Sequence, residues 1–403
     1  MGISHLAVAL LAGTASACKY TLYATTFKNA TSPTAPGTVV TLEFTQDHKT
    51  GVSSLKQVAQ NYDCGMQPTW TTLSKGDGNK TTLECLDESW AGPNGSINAL
   101  TSQDGATFKS GGVFTVAPSP VHIETVTYKS GEYRFLANFE KTAAGITVLK
   151  KTANGSFSLV QAVALPTGAQ IHQTVLHPSR EYLIAEDYGL GLHRVYSICG
   201  DSGKLTELKT EKAEAGVRHA AFSAPGGKFS NATTFMHSVN ELENTITSFK
   251  VGHFEDGKGL IFTKVGSVST YPGRQTPAGA KASEIVESDG FIIASNRNAT
   301  IFKTQNPDPT NSTQIDSDSL ATFKIDTDGK LVNGQLSISG GSFPRHFSLP
   351  KKDGSLIAVA NQESNSITVY ERDVATGKIG KALASAIKLP GGVSNVIWGA
   401  KQA

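Results

Sequence analysis

Residues 341–370 read GSFPRHFSLPKKDGSLIAVANQESNSITVY. A short alternating strand is followed by a turn rich in Pro, Lys, Asp and Gly, then an apolar strand (LIAVA), a polar knot at Asn361, Gln362 and Glu363, and a further strand (SITVY). A more polar hairpin, ERDVATGKIGKALASAIKL, comes next. Four antiparallel strands in one unit is the pattern of a propeller blade.

The unit returns upstream. One block starts IHQTVLHPSREYLIAEDYGLGLHRVY at Ile171, a second VRHAAFSAPGGKFSNATTFMHSVNELENTITSF at Val217, and a third ASEIVESDGFIIASNRNATIF at Ala282. Weaker copies start at Pro68 (PTWTTLSKGDGNKTTLECL) and Val121 (VHIETVTYKSGEYRFLANFE), which makes six complete blades. An N-terminal YTLYATT with GTVVTLEFT and a C-terminal GGVSNVIWG supply a seventh, its inner strand coming from the C-terminus. The reading is all-β: a seven-bladed β-propeller over residues 18–403, one domain, the ring closed by pairing of the N- and C-terminal segments. A β-sandwich also has short strands and turns but does not predict a unit that recurs six times. The Gly-His and Trp-Asp marks of the WD40 repeat are missing.

Strands one and two of a blade are antiparallel, so the start of one and the end of the other share an edge of the sheet. Inner strands line the channel, and these positions therefore converge on one mouth. Strand-one starts supply Trp70, His122, His172, Arg218 with His219, Glu284, and Arg345 with His346. Strand-two ends supply Glu84, Asn138, Asp187, Asn240 with Glu241, Asn296 with Arg297, and Asn361 with Gln362.

The asparagines suit ordinary turn chemistry. Four ionisable groups at equivalent places in different blades, His172, Arg218, Glu241 and Arg297, are harder to explain that way. Arginines hold carboxylates bidentately or stabilise an oxyanion, and a histidine or glutamate beside them moves a proton near neutral pH. These four are the candidate catalytic residues, with Arg345, His219, His346 and Asp187 as candidate substrate-binding residues. The site suits a small anionic substrate, a carboxylate, enolate or lactone. Arginines oppose a cation, so no metal is expected, and no cofactor motif is present.

Lys plus Arg total 36 against 34 Asp plus Glu, with no basic block, so nucleic acid is not an expected partner. The first 17 residues, MGISHLAVALLAGTASA, read as a secretory signal peptide cleaved before Cys18, and no other stretch approaches the length of a membrane span. Asn-X-Ser/Thr triplets at Asn29, Asn79, Asn94, Asn154, Asn231, Asn298 and Asn311 fit a secreted glycoprotein. Cys18, Cys64, Cys85 and Cys199 allow up to two disulfides, in any of three connectivities.

GVRHAAF, VNELENTITSF, ASNR and FPRHFSLPKKDGSLIAVANQESNSITVY resemble the blade motifs of the propeller lactonase family, which includes bacterial-type 6-phosphogluconolactonases and fungal 3-carboxy-cis,cis-muconate cyclases. The likeness is good from Ile171 to Tyr370 and weaker before it. It implies a seven-bladed propeller whose functional histidine, two arginines and glutamate fall on His172, Arg218, Arg297 and Glu241. It further implies a cofactor-free carboxymuconate cyclase, with a hydrolytic lactonase of the 6-phosphogluconolactonase type as the alternative; secretion is expected from the signal peptide and sequons, not from the resemblance. A second alternative is a non-catalytic secreted glycoprotein, an adhesin or surface antigen, on the same propeller.

Overall fold

The computed structural model describes residues 18–28, 35–75, 80–90, 92–254, 259–351 and 353–402. The proposed signal peptide and the sequon asparagines Asn29 and Asn79 lie outside the described residues. Seven antiparallel sheets of four main strands form a closed ring, since their inner strands touch in cyclic order. Those inner strands are Val393–Gln402 (blade 1), Pro68–Lys75 (blade 2), Pro120–Tyr128 (blade 3), Ile171–Leu176 (blade 4), Val217–Ser223 (blade 5), Lys281–Ser288 (blade 6) and Pro344–Ser348 (blade 7). In blade 1 the C-terminal strand pairs antiparallel with Cys18–Thr26, so both ends of the ring meet within one sheet. The seven-bladed ring expected from the repeats is the fold observed.

Alternation explains why the blades stack. In the blade 7 strand Leu356–Asn361, Leu356, Ala358 and Ala360 pack against blade 1, while Ile357 and Val359 pack against blade 6. Both faces are buried, so the strand reads as an unbroken apolar run rather than an alternating one. Each of the seven blade interfaces contains one such apolar cluster. Outer strands have neighbours on one side only, and stretches such as Lys109–Val116 are correspondingly exposed. The blades approach closely near the channel: a Cβ at Gly95 would lie 2.2 Å from Cδ of Pro120 on the next inner strand.

Two sequence expectations are corrected. The segment NATIF does not form the third strand of blade 6; Phe302–Gln305 pairs with Gln314–Ser317 in an inserted hairpin, and Ser319–Ile325 is the third strand. SLATFKI has the two-sided burial that this position demands, whereas FKTQ is half exposed. Glu84 is not at a strand end. It lies within Thr81–Asp87 and receives two hydrogen bonds from Arg134 of blade 3, at 2.5 and 2.7 Å, both side chains being buried.

Of the three possible disulfide connectivities, the structure contains Cys64–Cys85, while Cys18 and Cys199 are free. No helix among the described residues is long and apolar enough to cross a membrane.

Removing one partner of a buried ion pair strands the other charge in a low dielectric. Glu84→Ala is therefore expected to destabilise the protein by about 3–5 kcal/mol, read as a lower denaturant midpoint. A loss under about 1 kcal/mol, the size expected of an exposed pair, would show that Arg134 is solvated.

Candidate active site

The site is set by a backbone irregularity present in every blade. The first inner-strand residue pairs with the last regular residue of the second strand: Val217 with Asn240, Pro344 with Asn361, Ile171 with Asp187. One extra residue then interrupts the register in all seven blades, as a β-bulge. A bulge sets two residues against one and re-aims their side chains.

The extra residue and its successor are Arg218 and His219 in blade 5, Arg345 and His346 in blade 7, and Thr69 and Trp70 in blade 2. Such bulge positions supply the whole lining of the central cavity: Thr69, Trp70, Val121, His172, Arg218, His219, Glu284, Arg345, His346 and Ser394. That space is about 10 Å³, room for one water at most. A lactone or muconate would therefore sit outward, at the mouth.

The mouth is framed by the residue after the second strand in six blades, Phe27, Glu88, Phe139, Tyr188, Glu241 and Gln362, and by the last residue of that strand, Arg297, in blade 6. Backbone bonds fix them there; Glu241 N donates to Gly216 O at 2.8 Å and Glu88 N to Gln67 O at 3.0 Å.

The candidate residues fall into two connected groups. In the first, Glu241 is the hub: Arg297 Nη2 donates to its Oε2 at 2.6 Å, Arg218 Nε lies 3.3 Å from the same oxygen, and Lys281 Nζ and Tyr188 Oη approach Oε1 at 3.7 and 3.4 Å. Arg218 also donates through Nη1 to Ser283 O at 3.0 Å. The Nε of Arg297 is buried and makes no hydrogen bond, an uncommon condition for a buried donor, whereas that of Arg218 is buried against the Glu241 carboxylate. Phe343 lies over Arg297 and Phe27 over Arg345, at 4.9 and 5.5 Å from guanidinium to ring centre.

In the second group His172 Nδ1 and His219 Nε2 are 3.0 Å apart, and His219 Nδ1 lies 2.8 Å from Glu284 Oε1. His346 Nε2 is 3.6 Å from the other Glu284 oxygen. Trp70 reaches into the channel, its ring centre 4.3 Å from that of His122, 5.0 Å from His346 and 5.6 Å from His219.

Asp187 stands apart from both groups. Its Oδ2 accepts from Arg194 Nε at 2.9 Å, and its Oδ1 from the N–H groups of Gln170 and Leu190, so it holds the blade 4 turn. Glu88, Tyr188, Phe139, Trp70 and Glu284 join the site without having been singled out for it. Trp70 and Glu284 do stand at strand-one starts, and that signal was available.

Electrostatics separates the two groups. Burial alone would raise the Glu241 carboxyl, but Arg297, Arg218 and Lys281 outweigh it and hold the group below the ordinary carboxylate value. Burial, with Arg297 and Arg345 beside it, lowers Arg218 to about 9, still charged at neutral pH. His172 and His219 are pushed well below the ordinary histidine value, first by burial and then by Arg218. Burial also dominates at His122, pushed well below, and at His346, brought down to about 4 against the pull of Glu284. Glu88 goes the other way, raised by burial despite Arg345. At neutral pH the mouth thus presents fixed positive charge beside neutral imidazoles.

A single seven-bladed ring is the architecture of the propeller lactonases. The chain belongs to the family described as Lactonase, 7-bladed beta-propeller, whose model matches residues 21–397. It is 26% identical over 365 residues to an Arthroderma benhamiae protein named "Probable 6-phosphogluconolactonase", covering 87% of this chain and 84% of that one. An uncharacterized protein of Lactococcus lactis is 29% identical over 341 residues, 81% of this chain and 86% of its own. The periplasmic gluconolactonase of Pseudomonas aeruginosa superposes with a TM-score of 0.70 at 21% identity, over 95% of this chain and 99% of that one.

The histidine shifts carry a sign. A histidine whose folded value is depressed binds its proton more readily when unfolded, so its contribution to stability is complete above the unfolded value of about 6.5 and is lost as pH falls below it. With His122, His172, His219 and His346 all depressed, the melting temperature is expected to fall as pH drops from 6.5 toward 4. The raised carboxyls Glu88, Glu124, Glu287 and Asp318 oppose this, but His177 and His237 are depressed as well, so the histidines outnumber them. A melting temperature flat or rising over that interval, in a buffer series at constant ionic strength, would contradict the burial of these rings.

Proposed function

We propose that the protein is a hydrolytic lactonase acting on the lactone of an anionic sugar acid, of the 6-phosphogluconolactonase type. The observation that carries this reading is a neutral histidine, His172, beside the Arg218 and Arg297 guanidiniums that Glu241 holds at the mouth. Family membership and the name of the Arthroderma benhamiae relative support the same chemistry.

In the proposed reaction Arg297 and Arg345 hold the substrate's anionic group and Arg218 faces the lactone carbonyl. His172 takes a proton from water as the water oxygen adds to the carbonyl carbon, and Arg218 stabilises the oxyanion. The ring C–O bond then breaks, the leaving oxygen takes the proton from His172, and the new carboxylic acid releases a proton to solvent. Glu241 keeps Arg218 and Arg297 fixed in place.

Cyclisation of 3-carboxy-cis,cis-muconate is the second reading. The convergence of three arginines favours it, because a tricarboxylate would engage all of them. A purely adhesive role fits less well: on the outer strands, the exposed apolar side chains Val58, Val113, Leu159 and Ile261 are spread over four different blades. Export is part of the proposal. It is supported by the N-terminal apolar stretch, the Cys64–Cys85 disulfide, and the exposure of Asn94, Asn154, Asn231, Asn298 and Asn311.

Proton release above the spontaneous rate should be seen with 6-phosphoglucono-δ-lactone and be weaker with glucono-δ-lactone. Arg218→Ala is expected to lower kcat/KM by about 100- to 1000-fold, and His172→Ala by about 100-fold. Diene loss from 3-carboxy-cis,cis-muconate without lactone hydrolysis would transfer the assignment to the cyclase. No turnover of either by folded protein would sink both. Protein recovered from the medium should lose mass on glycosidase treatment, and an unchanged mass would remove glycosylation from the proposal.

A further inference from the structure

His172, His219 and Glu284 come from blades 4, 5 and 6, yet they form one buried chain, with His172 Nδ1 3.0 Å from His219 Nε2 and His219 Nδ1 2.8 Å from Glu284 Oε1. The Glu284 oxygen is itself fixed, because the Ile285 N–H donates to it at 3.0 Å. A carboxylate only accepts, so His219 Nδ1 carries the proton. Neutral His219 then has a lone pair at Nε2, and His172 must donate from Nδ1. The one lone pair left along the chain is at His172 Nε2. We infer that Glu284 and His219 are positioning residues which lock His172 in the tautomer whose Nε2 can accept a proton from water at the mouth.

The inference rests on the lactonase reading for its use, but not for its geometry. A free imidazole exchanges its tautomers, and the wrong one would present an N–H where the reaction needs a base. When His172 takes a proton, its Nδ1–H strengthens toward His219 and the new charge is drawn toward Glu284. That pull matters here, since Arg218, Arg297 and Arg345 all disfavour an imidazolium, as would protonation of His122 or His346; Glu241 and Glu284 are the carboxylates that favour it. His346 is tied to the same carboxylate. Its Nδ1 accepts from Val396 N at 3.3 Å, leaving Nε2–H to face Glu284 Oε2 at 3.6 Å.

Long-range proton–nitrogen NMR of the imidazoles in the full chain reads the tautomer without any substrate. The expected wild-type spectrum has His172 protonated at Nδ1 and bare at Nε2, assigned by comparison with His172→Gln. In Glu284→Ala both tautomers of His172 should appear, with kcat/KM down about 100-fold. Glu284→Gln, its carbonyl held by the Ile285 N–H, should keep the tautomer, lose about tenfold in kcat/KM, and move the acid limb of the pH profile about one unit lower, because a negative charge has gone. A wild-type His172 protonated at Nε2, or a Glu284→Ala spectrum identical to wild type, overturns the relay. The expected spectra in a protein that hydrolyses no lactone would uphold the relay and overturn the lactonase reading instead.

Discussion

Apolar contact between neighbouring blades is the constraint on which the rest of the structure depends. A single four-stranded sheet of this kind would expose one or both apolar faces, and only a closed ring gives every sheet a neighbour on each side. Seven interfaces each hold one apolar cluster, among them the Leu22, Leu42, Val369 and Trp398 group where the two chain ends meet. Because that seam joins strands from opposite ends of the sequence, the mouth acquires its geometry only once the chain has closed on itself.

The ring also concentrates charge. Arg218, Arg297 and Arg345 arise in three blades and would repel one another freely in water; closure brings them to one rim, where Glu241 pairs with Arg218 and Arg297 and Glu88 is the carboxylate that acts most on Arg345. The same closure strips water from His122, His172, His219 and His346 and keeps them neutral. A positive rim above neutral, hydrogen-bonded imidazoles is a site that draws an anion in and then has a base available. Both properties follow from burial in the ring and from no single blade.

The fold was legible because two-sided burial writes itself as an apolar run and the run recurs. The mouth was legible in part for the same reason: equivalent positions in successive repeats must converge. What could not be read was anything set by an extra residue. A bulge has no composition of its own, so the pairing of Arg218 with His219, or Arg345 with His346, looked like a local motif rather than two levels of one lining. Glu84 stood in for Glu88 because a polar residue inside a strand resembles the strand's end until Arg134, fifty residues away, is seen to pair with it. NATIF passed for a strand because short apolar pieces carry too little periodicity to separate an inserted hairpin from a core strand. The disulfide was open among three pairings, which only proximity could decide.

The repeated bulge has an evolutionary consequence. Its geometry belongs to the backbone and is the same whether the side chains are Thr69 and Trp70 or Arg218 and His219. Side chains at these places can therefore be exchanged one blade at a time with little disturbance to the stacked sheets that hold them. Such a lining works as a combinatorial keyboard. New selectivity can be composed by point substitution at the channel while the apolar interfaces behind it stay as they are.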